Sequence, residues 1–527
     1  MMLIITPQEL SLLSGLVAYP RSVTEHRGTF FFLARRGREK VLGLLARERS
    51  LLAAFVGDEH DVRVGGDDEQ RMILKLCPTE HSNATALRAA LPFTSPEAVG
   101  VRKSVGCGDR LGLATPGHVR AMRGILRLPP PPGPTGCAQS GPSGQIGIAP
   151  IFAQQSIREM SRTGRTPDQV MDDATWGVFQ EGWREGFGAD ADHLKTTADA
   201  DVCADAGFTM YTVDPGDHVD DGAATASPTE LSQRVEALPW DVLGSSPQAI
   251  RATYLGRSFD LGTFALTFTE RELLLAAAKY GRAVAHTVTM YRHLASRMGN
   301  RVFELEMSVD ETATPTTTHE HFFVASELKR LGVRWVSLAP RFVGRFEKGV
   351  DYIGDLRSFE VDLARHAAVA EAMGPYKLSV HSGSDKFSIY PIIARVAGDL
   401  VHLKTAGTSY LEALRAIATI DPALFREILT FAEGRYDTDK ASYHVSADPR
   451  RFPDPGRLAD DELTGVLDTF DGRQLLHVTF GSVLTMRDDT GGYRFRDRLL
   501  AALSADEEAY YTLLESHIGR HLAPFGV

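Results

Sequence analysis

The sequence predicts an α/β protein built on a (β/α)8 barrel of the TIM type, and three observations favour this fold. The chain has 527 residues, which is more than one ordinary domain and suits a large barrel with added segments. From residue 101 to about 425, short apolar runs alternate with helical patterns, which predicts parallel strands. About eight such units follow one another, and eight is the number of strands at which a parallel sheet closes into a barrel.

The predicted barrel strands are apolar runs, most of which end in polar residues. They are residues 110–118, 149–155, 187–195, 208–216, 303–311, 333–341, 376–385 and 400–408. Amphipathic segments between most of these runs predict the surrounding helices. A doubly wound open sheet is the alternative topology for the same alternation.

Three further segments lie outside the barrel pattern. Residues 1–100 predict an accessory α/β region with strands at GTFFFLARR and RMILKLC and a helix at EKVLGLLARERSLLAAF. A helical insertion is predicted at about 217–300, and the proline-rich run LPPPPGPTG (128–136) predicts a loop. Residues 426–527 predict a mostly helical C-terminal extension with one late strand at 475–486.

The composition excludes several classes of protein. With 43% hydrophobic and 24% charged residues the chain is globular rather than disordered. A net charge of -11 and the lack of a Lys/Arg-rich run argue against a nucleic-acid partner. We expect a cytoplasmic protein without a membrane partner, because no stretch approaches the ~18 apolar residues of a membrane span and the N-terminus does not resemble a signal peptide.

The cysteines support a reducing compartment. The four of them, Cys77, Cys107, Cys137 and Cys203, lie far apart and form no CxxC pair. This spacing argues against a disulfide framework and against a cysteine zinc site. The sequence leaves the oligomeric state open, and a homo-oligomer is compatible with it.

Ionisable and amide side chains concentrate at the predicted strand ends, where (β/α)8 barrels form their active sites. A purely structural barrel would scatter such residues over its loops. The strand ends offer His118, Gln154, Asp190, Asp192, His193, Lys195, Asp214, Asp310, Glu311, Arg341, His381, Asp385, Lys386, His402 and Lys404.

Strand alternation indicates which of these side chains face the barrel interior. In FELEMSVD, Glu306, Ser308 and Asp310 share one face, and Leu305 takes the other. At the end of ADADHLK, alternation lets either the aspartates or His193 face the cavity, but not both, unless the strand ends there.

A divalent metal site is predicted from two imidazoles and a carboxylate that face one cavity. Glu306, His381 and His402 are the predicted ligands, with Asp190 or Asp310 as a fourth ligand or a base. Carboxylate and imidazole donors suit zinc first, with manganese, nickel or iron as alternatives. The competing interpretation is a set of satisfied core histidines within a buried ion-pair network.

Phosphate and nucleotide motifs are scarce. The segment SVHSGSDKF (379–387) could cradle an anion through Gly383 and the following helix N-terminus, with Lys386 adding charge. The chain contains no GxGxxG, Walker A or G-x-S-x-G motif. This argues against a dinucleotide enzyme, a P-loop NTPase and an α/β-hydrolase.

Several long segments carry a resemblance to a known family. They are residues 108–122, 151–160, 186–196, 211–221, 335–355 and 378–391. Together these segments resemble the tagaturonate epimerase family, which includes tagaturonate/fructuronate epimerases and ketohexose 4-epimerases. The resemblance runs over roughly residues 100–420.

The resemblance implies a metal-dependent TIM barrel that interconverts D-tagaturonate and D-fructuronate. The inverted carbon is β to the ketone, so we expect retro-aldol cleavage and re-addition, with Asp190 and Asp310 as acid and base on opposite faces of the sugar. The residues expected to bind the substrate are Gln154, Lys195, Arg341, Lys386 and Lys404. The alternatives are an epimerase, isomerase or aldolase of neutral ketohexoses, or a sugar-binding barrel without catalysis.

Overall fold

The computed structural model describes residues 5–65, 70–128, 147–452 and 454–526. Most of the predicted proline-rich loop and Cys137 lie outside the described residues. No helix in these four ranges is long and apolar enough to cross a bilayer.

The strands and helices are numbered in chain order. The strands are β1 (Val17–Ala18), β2 (Thr24–His26), β3 (Thr29–Arg36), β4 (Glu39–Ala46), β5 (Asp58–Val64), β6 (Gln70–Pro78), β7 (Ser104–Gly106), β8 (Ala149–Ser156), β9 (Gly188–Leu194), β10 (Met210–Val213), β11 (Ser258–Asp260), β12 (Ala265–Thr267), β13 (Glu304–Ser308), β14 (Ser337–Ala339), β15 (Lys377–Val380) and β16 (Val401–Lys404). The helices are α1 (Pro7–Ser14), α2 (His81–Ala90), α3 (Thr115–Leu126), α4 (Ile157–Thr163), α5 (Pro167–Gln180), α6 (Thr197–Asp205), α7 (Pro228–Glu236), α8 (Trp240–Leu243), α9 (Pro247–Tyr254), α10 (Glu270–Met298), α11 (Thr318–Arg330), α12 (Leu356–Met373), α13 (Tyr390–Ala397), α14 (Thr408–Ile420), α15 (Pro422–Asp439), α16 (Phe470–Val478), α17 (Phe480–Thr485), α18 (Arg496–Ala505) and α19 (Glu507–Leu522).

A closed barrel of eight parallel strands forms the centre of the molecule and confirms the predicted fold class. The order around it is β7, β8, β9, β10, β13, β14, β15 and β16, and β16 pairs with β7 to close the ring. In β13, Leu305 and Met307 pack into the apolar layer between sheet and helices. Glu306 alternates with them and is fully buried in the barrel interior.

The first barrel strand lies earlier than predicted. The expected strand at 110–118 is wrong, because the strand is Ser104–Gly106 and residues 115–126 form α3. The Asp109 carboxylate accepts the backbone N–H groups of Leu111, Gly112 and Ala114 at 2.7 to 2.9 Å. These bonds fold the segment into a turn that leads into the helix.

The predicted N-terminal helix at 39–55 is also wrong, because its first half is the strand β4. This strand pairs antiparallel with β3 and β6 in a six-stranded sheet, and both of its faces are covered. A strand buried on both faces is continuously apolar, and periodicity does not separate it from a buried helix. Gly43 is required here, since a Cβ at this position would overlap the ring of Phe32.

The predicted late strand at 475–486 is wrong as well, because this run forms α16 and α17. Thr469 caps α16 by accepting the N–H of Gly472 at 3.1 Å. The apolar residues of both helices are buried in a second core that the C-terminal extension builds with α14 and α15. The extension then ends on α19, which packs against α3 and α14 at the barrel.

The insertion between β10 and β13 is helical, with a small hairpin of β11 and β12. Its main element is the 29-residue helix α10, which Thr269 caps with a capping box to Glu272. α10 packs along α11 and α6 on the outside of the barrel. The strand ends are therefore left to the loops after each strand and to the C-terminal extension.

Candidate functional site

Lys404, at the end of β16, lies at the centre of a group that we call the Lys404 cluster. Its Nζ is 2.8 Å from Asp190 Oδ2, 2.5 Å from Asp192 Oδ1 and 2.9 Å from Glu306 Oε1, and it donates to Thr212 Oγ1 at 2.8 Å. Burial alone would lower the pKa of Lys404, but the three carboxylates outweigh it and hold the pKa well above its ordinary value. One ammonium thus faces three carboxylates, which leaves the cluster with a net negative charge.

His381, which follows β15, connects this cluster to the loop after β13. Its Nε2 is 2.7 Å from Glu306 Oε1, and its Nδ1 is 3.1 Å from Asp310 Oδ1. Ser308 Oγ donates to Asp310 at 2.5 Å. Burial would lower the pKa of His381, but the carboxylates of Asp310 and Glu306 raise it to about 10. The two carboxylates therefore favour the protonated, cationic form of the imidazole.

His193 reaches the same place because β9 departs from regular strand geometry. Its φ is +50°, a left-handed conformation, and the pairing of β9 with β10 shifts register at this point. Asp192 and His193 both face the cavity as a result, with His193 Nε2 3.9 Å from Asp192 Oδ1. The His193 and His381 rings are 5.0 Å apart, centroid to centroid.

These residues form a group that could hold a metal ion. Asp192, His193 and His381 each offer a donor atom, and the three atoms lie within 4.8 Å of one another. Glu306 Oε2, beside them, is buried and has no hydrogen-bond partner among the described residues. Carboxylate and imidazole donors around an electronegative cavity fit a divalent cation.

His402, the third predicted metal ligand, lies beside the Lys404 cluster and bonds to a neighbouring strand. Its Nδ1 is 2.9 Å from Ser104 Oγ, which also accepts from Lys377 Nζ at 3.0 Å. Its Nε2 is 3.9 Å from Asp190 Oδ2 and has no hydrogen-bond partner within the described part of the chain. Glu306 and His381 are thus in contact, and His402 approaches the group from the side of Asp190.

The predicted substrate-binding residues lie in different places. Gln154 is buried in the barrel interior, and Arg341 lines the cavity described below. Lys195 is half-exposed and pairs with Asp217 at 2.8 Å. Lys386 is fully buried, and its Nζ donates to three backbone carbonyls at 2.5 to 3.0 Å. Gln154, Arg341 and Lys404 thus line the two cavities at the barrel mouth, and the linings of these cavities do not include Lys195 or Lys386.

Two cavities meet above the Lys404 cluster. The outer cavity has a volume of about 240 Å³ and the inner cavity about 40 Å³. Both are lined by Lys348, His381, Ser382 and Tyr443. The outer cavity is further lined by Asp310, Glu311, Arg341, Arg345 and His444, and the inner one by Arg110, Gln154, Glu159, Asp192, His193 and Lys404.

Seven of the lining residues named above were missed by the sequence reasoning. Five of them stand within segments that carry the family resemblance, so that resemblance was the available signal: Arg110, Glu159, Arg345, Lys348 and Ser382. Tyr443 and His444 belong to the C-terminal extension, and no sequence pattern connects them to the barrel.

A second group of possible metal ligands is a structural network. Asp385, His517 and His521 each offer a donor atom within 4.8 Å of the others. However, His521 Nε2 accepts the N–H of Asp385 at 2.8 Å, and its Nδ1 bonds to the carbonyl of His517 at 2.9 Å. Arg473 completes the set at 2.8 Å from Asp385 Oδ2. These bonds connect α19 to the loop after β15 and occupy both nitrogens of His521.

A parallel barrel whose strand ends gather carboxylates, imidazoles and a buried lysine around one cavity defines an enzyme of the (β/α)8 class. The sequence matches the profile of the UxaE tagaturonate epimerase family over residues 19–130 and 138–525. It is 40% identical over 508 residues to the tagaturonate/fructuronate epimerase of Thermotoga maritima, covering 96% of each chain. The chain therefore belongs to the tagaturonate epimerase family, as the sequence resemblance predicted, and it is an isomerase.

Solved structures agree with this assignment. The native crystal structure of the fructuronate-tagaturonate epimerase UxaE from Cohnella laeviribosi superimposes with a TM-score of 0.87 at 38% identity, covering 98% of this chain and 99% of the other. Its complex with one glycerol gives the same TM-score and identity, and 98% of each chain is covered. The likeness includes the N-terminal and C-terminal extensions as well as the barrel.

Proposed function

We propose that this enzyme interconverts D-tagaturonate and D-fructuronate by carbon–carbon bond cleavage and re-formation, with the help of a divalent metal. Membership of the tagaturonate epimerase family supports the substrate pair. The observation that carries the proposal is the Lys404 cluster, which lies with His193, His381 and Asp310 around one cavity at the barrel mouth.

The chemistry follows from which carbon is inverted. The two sugars differ at the carbon β to the ketone, where the C–H bond is not acidified by the carbonyl. In a retro-aldol step the β-hydroxyl loses its proton, the bond between the α and β carbons breaks, and its electrons pass into the enolate of the ketone fragment. The aldehyde then rotates, and the enolate adds to its other face while a proton returns to the alkoxide. Atoms and electrons balance without an oxidant.

A metal would be held by Asp192, His193 and His381, whose donor atoms lie within 4.8 Å of one another. The set predicted from the sequence shares His381 and adds Glu306 and His402. When bound, a divalent ion supplies a Lewis acid for the oxygen of the developing enolate. Zinc is the first choice, and manganese, nickel and iron are the alternatives.

Asp310 is assigned as the base that accepts the proton of the β-hydroxyl. Its carboxylate borders the outer cavity, and His381 and Ser308 hold it by ion pair and hydrogen bond. Burial would raise the pKa of Asp310, but His381 outweighs it and holds the pKa well below its ordinary value. The carboxylate is therefore ionised and able to accept a proton at Oδ2. Asp190, which is buried and paired with Lys404, is assigned to the opposite face of the sugar, where it acts through the Lys404 ammonium.

The test is turnover of both uronates by protein stripped with a chelator and then supplied separately with zinc, manganese, nickel or iron. D-fructose and D-tagatose serve as neutral controls. The proposal expects that chelation abolishes interconversion of the uronates and that at least one metal restores it. Full activity after chelation would overturn the metal dependence, and turnover of the neutral sugars alone would overturn the substrate assignment.

A further inference from the structure

The first turn of α14 forms a concentration of unused hydrogen-bond donors beside the active-site cavity. This helix follows the eighth barrel strand, and its N-cap is Gly407, at φ +94°. No side chain within the described ranges caps it by a hydrogen bond. A Cβ on Gly407 would overlap His477 Nε2 and lie 3.0 Å from Arg110 Nη2. Only glycine allows the helix to begin so close to these two side chains.

Arg110 offers one free edge in this place. It is 5% exposed, and its Nε and Nη2 donate to Glu159 Oε1 at 2.9 and 2.6 Å. Its Nη1 has no hydrogen-bond partner in the described part of the chain. The guanidinium carbon lies 3.6 Å from the centre of the Phe480 ring, so the group is held flat and fixed.

His477, on α16, is 1% exposed, and neither of its ring nitrogens has a hydrogen-bond partner among the described residues. A buried polar group without a partner costs about 1–3 kcal/mol, so two such nitrogens on one ring point to a function in ligand binding. Gly349 packs against the same ring, since a Cβ there would lie 3.3 Å from His477 Cδ2.

Lys348, the neighbour of Gly349, supplies positive charge. Its Nζ donates to Ser382 Oγ at 2.6 Å, and no carboxylate of the described residues lies within 4.0 Å of it. Lys348 and Arg110 line the inner cavity together with Asp192, His193 and His381. Since Glu159 neutralises Arg110, the net charge of this place comes from Lys348 and the helix dipole.

We propose that the N-terminus of α14, Arg110, Lys348 and His477 form an oxyanion site that binds the carboxylate of the uronate. This inference rests on the proposed function and names the substrate group that these donors recognise. Helix N-termini, arginine edges and lysines are the donors that proteins use for carboxylates and phosphates. The Lys386 ammonium, by contrast, already donates to three backbone carbonyls.

The site also has a role in the reaction. After cleavage the carboxylate stays on the aldehyde fragment, two carbons beyond the end of the broken bond. An anchored carboxylate lets the aldehyde turn its other face to the enolate without leaving the cavity. The site therefore supplies binding energy to the uronates that neutral ketohexoses cannot use.

The test compares K348M and H477F with K329M, a matched lysine-to-methionine control at an exposed position near the C-terminal end of α11, where Lys329 Nζ donates to the backbone carbonyl of Met373 at 3.2 Å. Isothermal titration calorimetry of the full-length enzyme uses D-tagaturonate, D-tagatose and inorganic phosphate as probes. K348M and H477F are expected to weaken binding of D-tagaturonate and phosphate by about tenfold or more, as for loss of a charge-assisted hydrogen bond. Binding of D-tagatose should stay within about twofold, and K329M should bind all three probes like the wild type.

The outcomes separate the site from the proposed function. Uronate turnover combined with wild-type affinities in K348M and H477F would leave the function standing and overturn the site. Tighter binding of D-tagaturonate than of D-tagatose, lost in K348M but without turnover, would support the site and overturn the function. A wild-type protein that binds neither D-tagaturonate nor phosphate would also overturn the site. If H477F does not fold by circular dichroism, K348M carries the test, because Lys348 is only half-buried.

Discussion

Replacing Lys404 by methionine tests the electrostatic core of the site. The ammonium lies 2.5 to 2.9 Å from three buried carboxylates. At an effective dielectric constant of about 20, each contact is worth roughly 6 kcal/mol, and the cost of burying the ammonium offsets much of this. Removal of one partner of a buried ion pair costs about 3–5 kcal/mol, and we expect K404M to lose at least that much stability at pH 7 without metal.

The pH dependence identifies the cause of this loss. Without the ammonium, mutual repulsion raises the folded-state pKa values of the crowded carboxylates above their unfolded values. Protonation relieves this repulsion, so each carboxylate contributes stability that is present below its unfolded pKa and is lost as the pH rises through its folded pKa. The deficit of K404M should therefore be smaller at pH 5 than at pH 7, and the double variant K404M/E306Q should recover part of it.

Urea unfolding of chelator-treated protein, followed by circular dichroism at both pH values, measures these differences. K195M is the matched control, because Lys195 forms an exposed pair with Asp217 and its loss should cost no more than about 1 kcal/mol. The reasoning is refuted if K404M unfolds at the same urea concentration as the wild type at pH 7, or if its deficit is equal at pH 5.

Three further predictions follow from the site and the core. D310N should lower kcat by about 100-fold or more with little change in KM, because it removes the proposed base; a change in KM alone would contradict that role. Replacing His193 by alanine should abolish metal retention measured by elemental analysis, whereas an unchanged metal content would exclude this ligand. The third prediction concerns His321 and His366, buried with their Nδ1 atoms 2.8 Å apart. Burial lowers the pKa of His366 to about 4, so its folded form stays neutral while the unfolded form binds a proton below about pH 6.5. Stability is therefore lost as the pH falls, and H366Q should lose about 2–3 kcal/mol less than the wild type between pH 7 and 4.5 in urea titrations, while an equal loss would contradict this.

The barrel was predictable wherever a strand carried a local signal. The alternation in β13 separates Leu305 and Met307 from Glu306, so its inner face could be derived from sequence. β7 has only three residues, and the apolar run that predicted a strand at 110–118 lies in the turn that Asp109 organises. The prediction of β4 was wrong for another reason, because burial on both faces removes the alternation that identifies a strand.

The site was only partly predictable, because its geometry depends on contacts between strands far apart in sequence. Alternation places either Asp192 or His193 in the cavity, and the left-handed backbone at His193 allows both. Lys404 was predicted to bind the substrate, but its contacts with the carboxylates depend on β9 and β13, which lie far from β16 in the sequence. His477 could not be placed by sequence, because its run resembles a strand and its neighbour in space, Gly407, lies at the start of α14, far away in the chain.

The measurement that tests the central claim most directly is the reaction of metal-restored enzyme with D-tagaturonate in deuterium oxide, without nicotinamide cofactor, followed by NMR. Retro-aldol inversion predicts that D-fructuronate forms and that the inverted carbon keeps its original hydrogen, since only the hydroxyl proton and the carbon–carbon bond are exchanged. Deuterium at the inverted carbon would contradict this account, because the hydrogen on that carbon would then have been removed and replaced from solvent.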